Sequence, residues 1–258
     1  MSTNKVYLAG IVRSDPDFAY DAILGDYLKI ELEIRRKDLG KCETITAIVT
    51  QEDLIKDVIK NVKKGDYFLT LNAHINTINY SKTVEKVCSH CQEATYVNIK
   101  AEKTEVVVTD YECVHDADPR LPGINKVILS GNVCSALNIR TNPTTNKPYC
   151  KYKLAVDRIG KAKTLQEADY PFIVSFGREA ANSAKHLHLS SMVLIEGALQ
   201  ERNVTQRFDH TCENCGQSMS IKRGNNIVRE IIASSVEYLD KHKDNEEEES
   251  SNQNECAD

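Results

Sequence analysis

The stretch NKVYLAG at residues 4–10 indicates how this chain is built, because it returns as NKVILSG at residues 125–131. Other features repeat at nearly the same distance along the chain. Apolar residues alternate with polar ones over residues 28–34 and again over residues 150–156, and Cys88-x-x-Cys91 returns as Cys212-x-x-Cys215. An internal repeat of this kind indicates one structural unit that the sequence encodes twice.

Each copy has the pattern of five strands with one helix between the third and the fourth. A period of two is typical of a half-buried strand, and helical patterns over Glu52–Val62 and Arg178–Leu189 separate the third strand of each copy from the fourth. This is the order of the OB-fold, a small Greek-key barrel that often binds oligonucleotides. The predicted fold class is therefore all-β, with two tandem OB-folds in which the hairpin between the fourth and fifth strands is extended.

The repeat also gives the domain organisation. We predict an N-terminal OB-fold at residues 1–115, a linker at 116–123, a C-terminal OB-fold at 124–241 and a tail at 242–258. The linker contains two prolines and a glycine. The tail is polar and acidic, which favours disorder.

Composition narrows the class of protein. The 258 residues contain no apolar run long enough to cross a membrane and begin without a signal-peptide pattern, so we expect a cytoplasmic protein. The net charge of −5 is concentrated in residues 244–258, where seven acidic residues occur without Lys or Arg; the remainder has 33 basic and 31 acidic residues, a net charge of +2. Such a body is compatible with nucleic-acid binding. No nucleophile–base or phosphate-loop motif occurs, so no catalytic role is predicted.

The second copy resembles the bacterial single-stranded DNA-binding protein family over about residues 124–240, and the first copy does so more faintly over 4–114. The resemblance lies in NKVILSG at 125–131, YKLAV at 152–156, ADYPFIVSFGREA at 168–180 and IEGALQER at 195–202. It implies a protein that coats single-stranded DNA with little sequence preference during replication, recombination or repair. It also implies four OB units acting together, hence a homodimer here, with a monomer as the alternative.

Three features depart from that family. Its members usually carry one OB unit per chain, lack Cys-x-x-Cys hairpins and end their acidic tail in a short hydrophobic tip, whereas this tail ends NECAD. Recruitment of replication or repair proteins through the tail therefore lacks the family's sequence signal. Two other functions stay open: an accessory OB protein that acts mainly through protein partners, and an RNA-binding OB protein.

Single-strand binders combine stacking aromatic residues with a basic groove. The resemblance assigns stacking to Tyr170 and Phe176, Phe208 stands near a hairpin tip, and Phe172 is assigned to the barrel core. The basic residues predicted to contact DNA in the second copy are Lys151, Lys153, Arg158, Lys161, Lys163, Arg178, Arg202 and Arg207. Thr44 and Thr50 replace the two aromatics in the first copy, which keeps Arg35, Arg36 and Lys37, so we predict that the second copy dominates affinity.

The repeated cysteines predict a structural zinc site. A Cys-x-x-Cys step presents two thiolates on one side of a turn, and two such steps in equivalent hairpins resemble the two knuckles of a zinc ribbon. We predict one zinc ion per chain held by Cys88, Cys91, Cys212 and Cys215. The alternatives are two separate sites completed by His90, His210 or Cys113, and free thiols or a redox pair.

Overall fold

The structure, a computed structural model, describes residues 2–36, 40–143, 145–158 and 167–239. Within its strands, side chains at positions 82, 206, 208 and 221–226 lie outside the description. The first unit consists of β1 (Thr3–Val12), β2 (Asp17–Asp21), β3 (Gly25–Arg36), β4 (Lys41–Val49), α1 (Glu52–Asn61), β5 (Tyr67–Val87) and β6 (Ala94–Val114). The second consists of β7 (Ile124–Val133), β8 (Asn138–Thr141), β9 (Pro148–Asp157), β10 (Ala168–Asp169), β11 (Phe172–Phe176), α2 (Gly177–His186), β12 (Met192–Thr211) and β13 (Ser218–Tyr238).

Each unit closes into a barrel of five strands. In the first, β1 pairs with β3 and β5, β3 pairs with β4, β5 pairs with β6, and a parallel pairing of β4 with β6 completes the circle. In the second, β7, β9, β11, β13 and β12 are joined in the same way, again with a parallel pair between β11 and β13. This topology confirms the predicted pair of OB-folds.

The helices occupy the predicted positions between the third and fourth barrel strands. Ile55 and Val58 lie on one side of α1 and are buried, whereas α2 buries the smaller Ala180 and Ser183. The prediction for the second helix extended too far, because Leu187 already has extended backbone angles and the chain leaves the helix there. β2, β8 and β10 are short additional strands that the repeat does not predict.

The two barrels share one sheet. β1 pairs antiparallel with β7 over seven residues, from Thr3 opposite Ser130 to Ala9 opposite Ile124. The order β6-β5-β1-β7-β12-β13 is therefore a continuous antiparallel sheet that runs through both barrels. The repeated motif thus forms the joint between the two units as well as the first strand of each.

Two positions of the repeated motif have a direct structural explanation. A Cβ atom at Gly10 would lie 2.5 Å from the carbonyl oxygen of Glu33, and one at Gly131 would lie 2.1 Å from that of Ala155. Glycine is therefore required where the first strand of each barrel crosses another strand closely. The side-chain amide of Asn4 accepts a hydrogen bond from the N–H of Ile75 at 2.8 Å and donates one to its carbonyl oxygen at 2.9 Å. The side chain of Asn125 makes the same two hydrogen bonds to Leu199, both at 2.8 Å.

The two long hairpins, β5–β6 and β12–β13, meet through a buried charge cluster. The guanidinium of Arg229 on β13 pairs with Glu105 of β6 at 2.6 Å and with Glu201 of β12 at 2.7 Å. Glu201 also accepts a hydrogen bond from the backbone N–H of Thr46 at 2.7 Å. The second hairpin therefore contacts both the first hairpin and the first barrel.

The predicted linker packs against the first barrel. The N–H of Gly123 donates to the carbonyl oxygen of Arg35 at 3.0 Å, and the Tyr67 hydroxyl donates to that of Pro122 at 2.7 Å. The predicted acidic tail lies outside the described residues. Within the described part of the chain, no helix is long and apolar enough to cross a membrane.

Candidate nucleic-acid interface and metal centre

The four cysteines of the repeated motif come together at the tips of the two long hairpins. The Sγ atoms of Cys88 and Cys215 are 3.7 Å apart, as are those of Cys91 and Cys212, and all four lie within 4.8 Å of one another. Each short contact joins a cysteine of the first hairpin to one of the second. The two pairs are thus halves of one cluster.

The two cysteine turns have the same backbone conformation. The N–H of Gln92 donates to the carbonyl oxygen of Cys88 at 3.0 Å, and the N–H of Gly216 donates to that of Cys212 at 2.9 Å. Gln92 has a φ of 61° and Gly216 a φ of 71°. Glycine adopts this left-handed conformation without strain, whereas glutamine does so at a steric cost, which makes the first turn the less favourable one.

Two of the four thiols have lowered pKa values, whereas a backbone hydrogen bond from Gln217 is outweighed by burial and by hydrogen bonds to the other three cysteines, which raise the pKa of Cys215 to about 12. Backbone N–H groups of Cys215 and Asn214 lower the pKa of Cys212 to about 6, and those of Cys91 and His90 lower the pKa of Cys88. A tetrahedral zinc ion with Zn–S bonds of about 2.3 Å requires sulfurs about 3.8 Å apart, which the 3.7 Å contacts match. The cluster can therefore hold a metal ion.

The predicted DNA-binding face lies on the outside of the second barrel, on strands β9 and β11. Opposite residues in this pair are Lys153 and Phe172, Lys151 and Val174, and Tyr149 and Phe176. Phe176 is 47% exposed, and its ring lies 6.2 Å from that of Tyr149. The outer face of these two strands is where OB-folds commonly bind oligonucleotides.

The assignment of Phe172 to the barrel core was wrong. Its side chain is half-buried on the outer face, where the ammonium groups of Lys151 and Lys153 lie 4.0 and 4.8 Å from its ring centre. Ile173 and Ser175 point inward instead. Tyr149 and Phe172 are thus candidate stacking residues that the sequence analysis missed. The alternation of Tyr149, Lys151 and Lys153 with the buried residues Cys150, Tyr152 and Leu154 was the available signal.

Several of the basic residues predicted to contact DNA are paired with carboxylates. Glu230 is buried and lies 2.5 Å from Lys151 and 3.0 Å from Arg202, and Lys153 is paired with Glu102 of the first hairpin. Burial by itself would raise the pKa of Glu230, but the hydrogen bonds from Arg202 and Lys151 outweigh it and lower that pKa. DNA phosphates would have to compete with these ion pairs.

Arg158 lies in a contact between the second barrel and the first hairpin. Its guanidinium pairs with the buried carboxylate of Asp169 at 2.8 Å and donates to Asn76 and to the carbonyl oxygen of Thr77. The backbone N–H of Tyr170 donates to the Thr77 hydroxyl at 2.8 Å. This network fixes the start of the strand that carries Phe172 and Phe176.

The other predicted contacts are distributed more widely. Arg178 in the first turn of α2 is exposed, as are Arg207 on β12 and Arg35 on β3, and Arg36 lies 3.9 Å from Glu43. Phe208 lies on β12, but its side chain is outside the described set. Lys37, Lys161 and Lys163 lie outside the described residues. All of these remain predictions as DNA contacts.

Comparison with known proteins places the second barrel in a family. Residues 124–236 match the Single-strand binding protein family. Single-stranded DNA-binding protein 2 of Clostridium acetobutylicum is 30% identical over 122 residues, which cover 47% of this chain and 80% of that protein. Single-stranded DNA-binding protein 1 of Staphylococcus aureus is 30% identical over 125 residues, covering 48% of this chain and 70% of that protein.

Solved structures match the whole chain. The wild-type single-stranded DNA binding protein from Thermus aquaticus superposes with a TM-score of 0.59 at 14% identity, over 93% of this chain and 94% of that one. A deletion mutant of the same protein gives the same TM-score over 95% and 98%. At this identity the likeness concerns the fold. The shared fold together with the similarity of the second barrel leads to one conclusion: the chain belongs to the single-strand binding protein family.

Proposed function

We propose that this protein binds single-stranded DNA with little sequence preference and coats it during replication, recombination or repair in the cytoplasm. The observation that carries the proposal is the outer face of β9 and β11, where Tyr149, Phe172 and Phe176 lie beside Lys151 and Lys153. Aromatic rings accept any base by stacking, and lysines contact phosphates without reading sequence. Tyr170 is half-buried and lies just before β11, two residues from Phe172.

Binding would couple the DNA surface to the hairpins. Lys151 and Lys153 leave Glu230 and Glu102 if they turn toward phosphates, and these glutamates belong to β13 and to the first hairpin. An approaching strand therefore exchanges ion pairs within the protein for ion pairs with DNA. We expect a salt dependence of affinity that is smaller than the number of basic residues on the face would suggest.

A labelled oligonucleotide tests the proposal, because the chain contains no tryptophan that would report binding. We expect tight binding to oligo-dT with a defined site size, similar affinity for mixed sequences, and weaker binding to the matching RNA. A clear preference for RNA would favour an RNA-binding OB protein. Weak binding beside a stable protein complex would favour an accessory factor.

We also propose that the four-cysteine cluster holds one structural zinc ion. Four thiolates fill a tetrahedral site and leave no position for a substrate, so such an ion would join the hairpin tips without taking part in chemistry. Met219, which is buried beside Cys88 and Cys212, shields one side of the cluster. The zinc content per chain tests this site. We expect the Cys88→Ser/Cys212→Ser variant to lose this ion and a control variant, in which the exposed Cys42 is replaced by Ser, to keep it.

The homodimer implied by the family is a further proposal. The continuous sheet through both barrels has an outer face on which Tyr7 and Ile124 are 36% and 44% exposed, and Tyr7 lies opposite Lys126 across the β1–β7 pair. A second copy packed on this face would bring four OB units together. Light scattering with and without a long oligonucleotide separates the dimer from the monomer. A protein partner of the acidic tail stays a prediction.

A further inference from the structure

A second group of metal-ligating side chains lies in the first barrel, apart from the four cysteines. Asp66 precedes β5, Cys113 lies near the end of β6, and His115 follows that strand. The Asp66 side chain is 9% exposed, and its Oδ2 atom lies 3.1 Å from Nδ1 of His115 and 3.6 Å from Sγ of Cys113. The three ligand atoms are within 4.8 Å of one another.

These distances suit a tetrahedral ion. Bonds of about 2.0 Å to oxygen and nitrogen and about 2.3 Å to sulfur place the oxygen about 3.3 Å from the nitrogen and about 3.5 Å from the sulfur. The observed separations are 3.1 and 3.6 Å. Two of the three separations therefore fit a tetrahedral ion, and the third, between the Cys113 sulfur and the His115 nitrogen, is within 4.8 Å.

The second barrel shows that the fold does not require this trio. The turn before the fourth barrel strand has the same backbone hydrogen bonds in both barrels. In the first barrel, Val12 N–H donates to Asp66 O and Gly65 N–H donates to Val12 O. In the second, Val133 N–H donates to Ser191 O and Ser190 N–H donates to Val133 O.

The side chain that closes the turn also has an equivalent. Asp66 accepts a hydrogen bond from the N–H of Lys63 at 2.8 Å, and Ser191 accepts one from the N–H of His188 at 3.0 Å. One acceptor therefore suffices for the turn. The place of Cys113 is taken in the second barrel by Tyr238, as the pairs Phe68–Cys113 and Val193–Tyr238 show. Convergence of a thiol and an imidazole on Asp66 is thus additional to what the turn needs.

We propose that Asp66, Cys113 and His115 bind a second divalent ion of the zinc class. Oxygen, sulfur and nitrogen ligands together suit a borderline-soft cation and disfavour magnesium or calcium, which take oxygen ligands. Binding replaces the Cys113 thiol proton with the metal, and that proton leaves to solvent. The exposed side of His115 leaves the fourth ligand position open to water, unlike the closed cluster of four thiolates.

The position of the site gives it a structural consequence. Asp66 and Cys113 belong to the body of the first barrel, whereas His115 is the last residue before the predicted linker at 116–123. A bound ion would fasten the beginning of the linker to the barrel. None of its three residues belongs to the four-cysteine cluster or to the outer face of β9 and β11.

Zinc titration of the full chain tests the proposal, with metal content measured by mass spectrometry after desalting. We expect two zinc ions per wild-type chain and one in His115→Ala, a substitution at a side chain that is 60% exposed and therefore does not threaten folding. Loss of a direct ligand should lower the affinity for this second ion more than about 100-fold. Equal zinc content in the wild type and His115→Ala would overturn the proposal.

Cobalt identifies the sulfur ligand. Co²⁺ added to protein already loaded with one zinc should give thiolate-to-cobalt absorption that persists in Cys42→Ser and disappears in Cys113→Ser. In the Cys88→Ser/Cys212→Ser background, an ion sensitive to His115→Ala should remain, which separates this site from the hairpin tips. Absorption that survives Cys113→Ser would also contradict the proposal.

Discussion

The outer faces of the two barrels have the same architecture but different chemistry. Glu31 pairs with Thr46 in the first barrel where Lys153 pairs with Phe172 in the second. Tyr27, which corresponds to Tyr149, is only 5% exposed and packs against Ile48 and Val107. The first barrel keeps an ammonium group at Lys29, the position of Lys151, but it has a carboxylate and a hydroxyl where the second barrel has Lys153 and Phe172.

The segments that lead into β3 and β9 also differ in charge. Residues 14–28 of the first barrel contain four aspartates and no basic residue, whereas the equivalent residues 135–150 contain Arg140 and Lys147 and no acidic residue. Phe18 and Tyr20 on β2 are 58% and 73% exposed, yet they stand among those aspartates. Phosphates are repelled by carboxylates, so aromatic exposure alone does not make a DNA-binding surface. The two barrels therefore share their architecture, whereas their outer faces differ in charge and in aromatic exposure.

The largest expected effect is on DNA affinity. Each base stack contributes about 1–3 kcal/mol, so Tyr170→Ala with Phe176→Ala should weaken oligo-dT binding at least about 30-fold. Arg35→Ala with Arg36→Ala in the first barrel should have little effect at high salt, where phosphate contacts contribute least. Fluorescence anisotropy measures both, with Phe18→Ala/Tyr20→Ala as a matched aromatic control. Equal losses would remove the distinction between the barrels.

The next effect concerns stability of the contact between hairpins and barrels. Arg229→Met removes the cation that Glu105 and Glu201 share, which should lower the free energy of unfolding by about 3 kcal/mol, at the low end for a broken buried pair because Glu105 keeps its ion pair with Lys103. Arg158→Met should lower the free energy of unfolding by less, because the Arg158 side chain is 23% exposed and Asp169 keeps its hydrogen bond from Thr77. Urea unfolding compares the two. A greater loss for Arg158→Met would reverse the ranking.

A smaller and equal effect is expected for the repeated asparagines. Asn4→Ala and Asn125→Ala each remove a side chain that satisfies two backbone groups, at a cost of about 2 kcal/mol. Similar shifts in the urea midpoint would show that the two barrels rely equally on this contact. A shift at one position without the other would show that their stabilities have diverged along with their surfaces.

The smallest effect is the acid sensitivity of Glu230. Its pKa is lowered in the folded protein, so its contribution is complete above the unfolded pKa of about 4.3 and is lost as the pH falls through the folded pKa. Glu230→Gln should therefore be less stable than the wild type at neutral pH, and the difference should shrink as the pH falls below about 4 and vanish only below the lowered folded pKa. A difference that stays constant with pH would exclude this ion pair as its source.

Much of the fold could be predicted because the repeat and the period of two are local patterns. Residues 28–34 and 150–156 alternate in the sequence and do so in the barrels, and the two Cys-x-x-Cys steps predicted the meeting of the hairpin tips. The pairing of β1 with β7 could not be predicted, since a strand motif does not specify its partner. β2 and β8 are short strands that form only against a neighbour.

The candidate sites were less predictable for the same reason. Lys153 looks like a free cation in the sequence, and its partner Glu102 is 51 positions away. Phe172 was misassigned because an apolar residue among apolar neighbours gives no sign of which side of the strand it faces. Asp66, Cys113 and His115 come together only when the ends of two strands and a turn are folded.

Because β1 and β7 belong to the same chain, the contact between the two barrels does not depend on the protein concentration. Two separate OB chains joined through their first strands would dissociate on dilution, whereas here the partner strand is supplied by the same chain at a high effective concentration. Each first barrel is therefore always matched with a second barrel and never with another first barrel. That fixed pairing allows the outer faces of the two barrels to differ without producing mismatched pairs.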